Sequence, residues 1–61
     1  VNLNTATQAE LEALPGIGPT YAVRIIHFRQ QNPFRRIEDL LNVDGIGEKR
    51  FASIARLVTV Q

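Results

Sequence analysis

Leu14-Pro15-Gly16-Ile17-Gly18 decides the fold of this 61-residue chain, together with its echo Val43-Asp44-Gly45-Ile46-Gly47. All four glycines of the sequence fall in these two stretches. Each reads apolar-x-Gly-Ile-Gly, and each separates two segments with helical patterning. Glycine is used where the backbone takes positive φ or passes close to another group. An isoleucine between two such glycines is expected to plug the turn into the core and leave the flanking backbone bare. Bare N–H groups at the start of a helix form a ready anion site.

Working outward, Pro15 stops the segment before the first turn. That segment begins at Thr7-Gln8-Ala9-Glu10, a capping box in which the Thr7 hydroxyl serves an orphan N–H and Glu10 reaches back. The first helix is expected over about 8–14, with Leu11 and Leu14 inward and Leu3 stapled onto Leu11. Residues 1–6 read as an extended lead-in. Pro19 follows the first turn and suits the first position of a helix, where its missing N–H is no loss. The second helix is expected over about 19–31. Ala22, Ile25, Ile26 and Arg29 fall at helical spacing, with Phe28 beside them. Arg29 is expected to lay its stem on the core and send its head to solvent or a carboxylate. Asn32-Pro33 breaks the chain, and Phe34 reads as an anchor between the halves.

The third helix is short, about 37–41, with Glu38 and Asp39 in the first turn, where the helix dipole favours acids. Arg36 takes its N-cap position, a poor residue for the task. The fourth helix is expected over about 48–58, with Phe51, Ile54, Ala55 and Val58 on the inner face and Leu57 beside them. A shift of 29 residues lays Leu11 on Leu40, Leu14 on Val43, each Gly-Ile-Gly on the other, Ile25 on Ile54 and Glu10 on Asp39. The chain is therefore read as two helix–turn–helix copies, about 7–31 and 37–60, joined by a linker at about 32–36. Neither copy can bury its own apolar face, so the two share one core in a single domain. A pseudo-twofold arrangement leaves both turns on one side.

Composition narrows the possibilities. The formal net charge is +1, so a nucleic-acid reading needs clustered cations. With no cysteine and one histidine, His27, neither a disulfide nor a metal site is expected. No apolar run approaches the ~20 residues of a membrane span, and no signal peptide is visible. Adjacent Glu38 and Asp39 point in different directions on a helix and do not form a catalytic pair.

These residues resemble the tandem helix-hairpin-helix domain, an all-α fold of four to five short helices. Within it they resemble the DNA-binding domain of ComEA-type competence receptors. The resemblance rests on the two Gly-Ile-Gly stretches, on the opening Val1-Asn2-Leu3-Asn4-Thr5-Ala6-Thr7, on Ile25-Ile26 with Phe28-Arg29, on Glu38-Asp39-Leu40 and on Glu48-Lys49. It implies binding of double-stranded DNA, with backbone amides of the two hairpins holding phosphates of opposite strands across the minor groove, indifferent to sequence. Carried over by position, the contacts come from Gly16, Ile17, Gly18 and Thr20 in the first hairpin and from Gly45, Ile46, Gly47 and Lys49 in the second. Tyr21 and Arg24, and Arg50 beside Lys49, are adjoining candidates. Where the family often has lysine this chain has Tyr21, so the first hairpin is neutral and the second cationic.

The same resemblance implies an extracytoplasmic setting in a membrane-tethered parent, with the isolated domain a monomer and no cofactor or small-molecule substrate. Contacts to the DNA backbone carry no sequence information. About four neutralised phosphates give an expected log–log salt slope near −3.6. Two other classes stand beside this reading. One is a protein-interaction scaffold on the same fold, as in an extrinsic photosystem protein that resembles this group; the low charge and neutral first hairpin favour it. The other is a lysine-nucleophile glycosylase, for which Lys49 is the only lysine and no second domain forms a base pocket. On these grounds the chain is read as a non-enzyme.

Overall fold

The computed structural model describes residues 1–61 as an all-α fold. Its elements are α1 (Gln8–Glu12), α2 (Pro19–Gln31), a 3-10 helix (Ile37–Asn42), α3 (Glu48–Ile54) and a 3-10 turn (Ala55–Leu57). Thr7 caps α1 as the sequence predicts: its Oγ accepts from the Glu10 amide at 3.2 Å, and Glu10 Oε1 accepts from the Thr7 amide at 2.8 Å. The helix ends earlier than the expected Leu14. Leu14 precedes a proline, which disfavours the α conformation there. Its amide turns instead to Leu11 O at 3.1 Å, an i→i−3 bond that tightens the exit into the hairpin. α2 matches its expected span, opened by Pro19 at its first position and closed at Asn32.

The third element starts in the register of α1, since Gln8 and Ile37 are 29 residues apart, but winds as a 3-10 helix. The weak cap at Arg36 is compensated by Asp39, whose Oδ2 accepts from the amides of Arg35 at 3.0 Å and Arg36 at 3.3 Å. Glu10 and Asp39, equivalent under the repeat, thus close the two N-termini with a carboxylate. These bonds hold both carboxyls below their ordinary values, Glu10 through the Thr7 amide and Asp39 first through the Arg35 amide.

The fourth helix departs from expectation. α3 stops at Ile54, the chain tightens into the 3-10 turn, and Val58 is extended although buried. Leu57 is 40% exposed and lines no inner face. The run Val58-Thr59-Val60 is β-branched and poorly suited to a helix. It pairs instead with the opposite end of the chain: Thr59 N donates to Val1 O at 2.7 Å, and Leu3 N donates to Thr59 O at 2.9 Å.

The lead-in is correspondingly more structured than a simple extended segment. After this bridge it turns back, with Thr5 and Ala6 amides on Asn2 O. Leu3 and Ala6 are both buried, and Ala6, not Leu3, holds the staple position before the cap. Asn4 ties the segment to the linker, donating to Phe34 O at 2.9 Å and accepting from Phe34 N at 2.8 Å. Arg29 is half-buried, and its head goes to backbone carbonyls and not to a carboxylate. Its Nη1 donates to Leu3 O at 3.1 Å and Ala6 O at 2.7 Å, serving carbonyls that the bridge leaves free.

One core joins the copies. Leu11 with Leu40 and Ile25 with Ile54 are wholly buried as equivalent pairs, and Leu14 with Val43 and Ile17 with Ile46 nearly so. Ala22 is fully buried, and Phe34 packs on Phe28 with ring centroids 5.1 Å apart. No helix is long and apolar enough to cross a membrane.

Candidate functional site

The two hairpins have the same internal geometry. Gly16 and Gly45 take φ of +78° and +87°, the left-handed region that favours glycine. Gly18 and Gly47 lie at φ −91°, ψ −173° and φ −95°, ψ −174°, and cap α2 and α3. In each turn the isoleucine amide donates back: Ile17 N to Leu14 O at 3.0 Å, and Ile46 N to Val43 O at 3.1 Å. Each isoleucine side chain is buried, as the plug reading requires.

Of the expected donor set, the two isoleucine amides are the ones hydrogen-bonded within the protein. Ile17 and Ile46 shape the hairpins from within, and their own N–H groups are already spent. The amides of Gly16, Gly18, Gly45 and Gly47 donate to no backbone acceptor in the molecule. Those of Thr20 and Lys49 lie in the first turns of α2 and α3, where a helix leaves its N–H groups without internal partners. Gly16, Thr20, Gly45, Gly47 and Lys49 are exposed, and Gly18 is half-buried. The residues that carry these amides thus lie at or near the surface.

Tyr21, Arg24 and Arg50 are brought together, but between the hairpins. Arg50 Nε donates to Gly16 O at 3.1 Å and its Nη1 to Gly45 O at 3.3 Å. One guanidinium thus touches both turns, which lie side by side within its reach. The same guanidinium lies over the Tyr21 ring, 4.3 Å from its centroid, and that of Arg24 lies 5.5 Å from it. Arg24 Nη1 donates to Asp44 O at 3.2 Å. The Tyr21 ring covers Gly45 so closely that a Cβ there would stand 2.6 Å from Cε1.

Tyr21 and Arg50 are equivalent positions under the 29-residue shift. Equivalent residues of two copies meet only near the axis that relates the copies. Sequence reading assigned all three side chains to a surface and missed this convergence. The signal available was their register: each of Tyr21 and Arg50 sits three residues past the second glycine of its hairpin. Lys49, by contrast, is exposed and enters no ion pair; the one ion pair joins Arg36 Nε to Asp39 Oδ1 at 3.5 Å. Arg35 and Arg36 lie in the linker, and His27 is exposed beside Gln31.

The helix-hairpin-helix motif matches residues 1–59. The chain is 48% identical over its whole length to ComE operon protein 1 of Bacillus subtilis, of which it spans 30%. It is 47% identical over 75% of its length to the human endonuclease/exonuclease/phosphatase family domain-containing protein 1, and 40% identical over 88% to the kinesin-like protein KIF22 of Xenopus tropicalis. It spans only 8% and 9% of those two proteins.

Proposed function

The chain belongs to the helix-hairpin-helix family, and from that premise we propose that it binds double-stranded DNA without reading its sequence. Each hairpin takes a phosphate of one strand, and the pair spans the minor groove. The observation that carries this reading is the matched pair of adjoining turns. Each presents glycine amides with no partner in the protein, and one Arg50 side chain reaches both. Gly16, Gly18 and Thr20 serve one strand, and Gly45, Gly47 and Lys49 the other. Lys49 adds a charge-assisted contact that Thr20, its counterpart, lacks.

Neutral amides release no counterions, so the salt slope is set by cations alone. Three stand near the hairpins: Arg24, Lys49 and Arg50. All three on phosphates would give a slope of about −2.7, and Lys49 alone, the one of the three with no side-chain partner inside the protein, about −0.9, both shallower than four neutralised phosphates would give. Affinity for one module falls in the non-specific range of ~10⁻⁴ to 10⁻⁶ M.

Similarity to a ComE operon protein supports a place in DNA uptake, as the DNA-holding module of a longer, membrane-tethered receptor facing outside the cytoplasm. The module itself acts as a monomer and a binder, with no reaction assigned to it. A scaffold role is the second reading, favoured by the net charge of +1 and the neutral first hairpin. Titration of a short duplex and of its single strands at two ionic strengths separates the two. Duplex binding that weakens with salt and ignores sequence supports the proposal; no binding at low salt refutes it.

A further inference from the structure

We infer that Arg50 and Tyr21 form a brace on the pseudo-twofold axis that sets the spacing of the two hairpins, so that Arg50 acts in DNA binding as a positioning residue and not as a phosphate ligand. This rests on the duplex-binding reading above. The geometry is specific. Arg50 belongs to the second copy but donates through Nε to Gly16 O of the first, at 3.1 Å, and through Nη1 to Gly45 O of its own hairpin, at 3.3 Å. Tyr21 belongs to the first copy but lies against Gly45 of the second. Each hairpin is thus held by the other copy's axial side chain, and the two side chains hold each other through the cation–π contact at 4.3 Å. Arg24 extends the brace, lying over the same ring and donating to Asp44 O.

A guanidinium has five donors in a rigid fork. Here the fork spans two carbonyls belonging to turns that are 29 residues apart in sequence. Lysine offers one compact nitrogen on a flexible stem and cannot reproduce that fork. A phosphate contact, by contrast, needs mainly the charge. The two roles therefore predict different behaviour for the same substitutions.

The test uses Arg50→Lys, Arg50→Gln, Tyr21→Ala and Tyr21→Phe in the 61-residue domain. As a brace, Arg50→Lys and Arg50→Gln lose duplex affinity alike, on the order of ten-fold, the scale of hydrogen bonds made by a charged group. Their salt slope stays that of the parent, because Arg50→Lys keeps the charge, Arg50→Gln removes one that was not on a phosphate, and the first hairpin binds through neutral amides. Tyr21→Ala gives a similar loss although it removes no charge, and Tyr21→Phe, which keeps the ring, binds as the parent does. Tyr21→Ala combined with Arg50→Gln costs little more than either alone, the mark of two groups acting as one unit.

Residual dipolar couplings of α2 and α3 amides in the free protein give a readout independent of DNA. The angle between the helices shifts in Arg50→Gln and Tyr21→Ala and holds in Tyr21→Phe. Affinity retained in Arg50→Lys, with a slope shallower by about 0.9 in Arg50→Gln, overturns the inference in favour of a direct phosphate contact. An unchanged interhelical angle in both Arg50→Gln and Tyr21→Ala overturns it as well. Failure of the parent domain to bind duplex would sink the DNA reading, while the couplings still decide whether the brace exists.

Discussion

Replacing Gly16 and Gly45 by alanine, one at a time, separates what the hairpin backbone needs from what the brace needs. The two positions are equivalent under the repeat and share a left-handed backbone, φ +78° and +87°. Left-handed geometry costs a non-glycine residue about 1–2 kcal/mol, partly offset by the ~0.4–1 kcal/mol gained when the unfolded chain loses glycine's freedom. Gly16→Ala should therefore lose about 1 kcal/mol, since its new Cβ meets only Arg50 Nε at an ordinary 3.8 Å. At Gly45 the Cβ stands 2.6 Å from Tyr21 Cε1 and 2.7 Å from Arg24 Nη1. The ring must retreat by about 1 Å, and overpacking of that kind adds ~1–3 kcal/mol.

Gly45→Ala should thus cost about 2–4 kcal/mol in total. A domain of this length has roughly 3–9 kcal/mol to lose. Thermal unfolding followed by far-UV circular dichroism reads the contrast. Gly16→Ala lowers Tm by about 4–8 °C, and Gly45→Ala by at least twice as much. In a Tyr21→Ala background the extra penalty at Gly45 falls toward the Gly16 value, because the ring is gone. Equal losses at the two glycines, or an undiminished Gly45 penalty without the ring, would refute the reasoning.

Three other outcomes are expected. Ile17→Val and Ile46→Val each cost about 0.5–1.5 kcal/mol by urea denaturation, nearly alike, since both plugs are buried in equivalent turns. The depressed carboxyls of Glu10 and Asp39 stabilise the fold above the ordinary carboxylate range. That contribution is lost as pH falls from about 5 through the lowered folded values. Glu10→Gln and Asp39→Asn should each lower Tm at neutral pH and flatten its acid limb, which a Tm series between neutral and acid pH will show. Thr20→Lys, which gives the first hairpin the cation its counterpart has in Lys49, should tighten duplex binding and steepen the salt slope by about 0.9, while Lys49→Gln should do the reverse; a fluorescence-anisotropy titration at several salt concentrations measures both.

Sequence made the hairpins and α2 readable because their determinants are local. Pro19 starts α2 and Asn32-Pro33 ends it, with no need to know what it packs against. The paired Gly-Ile-Gly stretches announce positive φ and a buried plug from composition alone. What stayed hidden depends on partners distant in the chain. Val58 has the spacing of a helical core residue and is buried, but the β-branched run it begins is drawn off to pair with residues 1–3. Arg29 reads as a snorkelling cation until the lead-in folds over it and exposes two carbonyls to its head. Arg50 reads as a candidate phosphate contact beside Lys49, and nothing near it in sequence says that its donors go to Gly16 and Gly45.

The pattern of identity and divergence between the copies follows from where symmetry helps and where it hurts. Positions that fix backbone or core repeat in kind: Gly16 and Gly45, Ile17 and Ile46, Leu11 and Leu40, Ile25 and Ile54. The axial position does not, and it should not. In a symmetric dimer of identical copies a residue on the axis meets itself. Two arginines there would repel, and two tyrosines would leave the hairpin carbonyls without donors. A duplication carried within one chain escapes that constraint. It can set Tyr21 against Arg50, attractive as a pair, with one fork of donors serving Gly16 and Gly45 together. The inequality of the hairpins, one neutral and one cationic, is in part the consequence: the charge at position 50 is drawn to the axis, and of the two adjacent cations of the second hairpin Lys49 is the one whose side chain has no partner inside the protein.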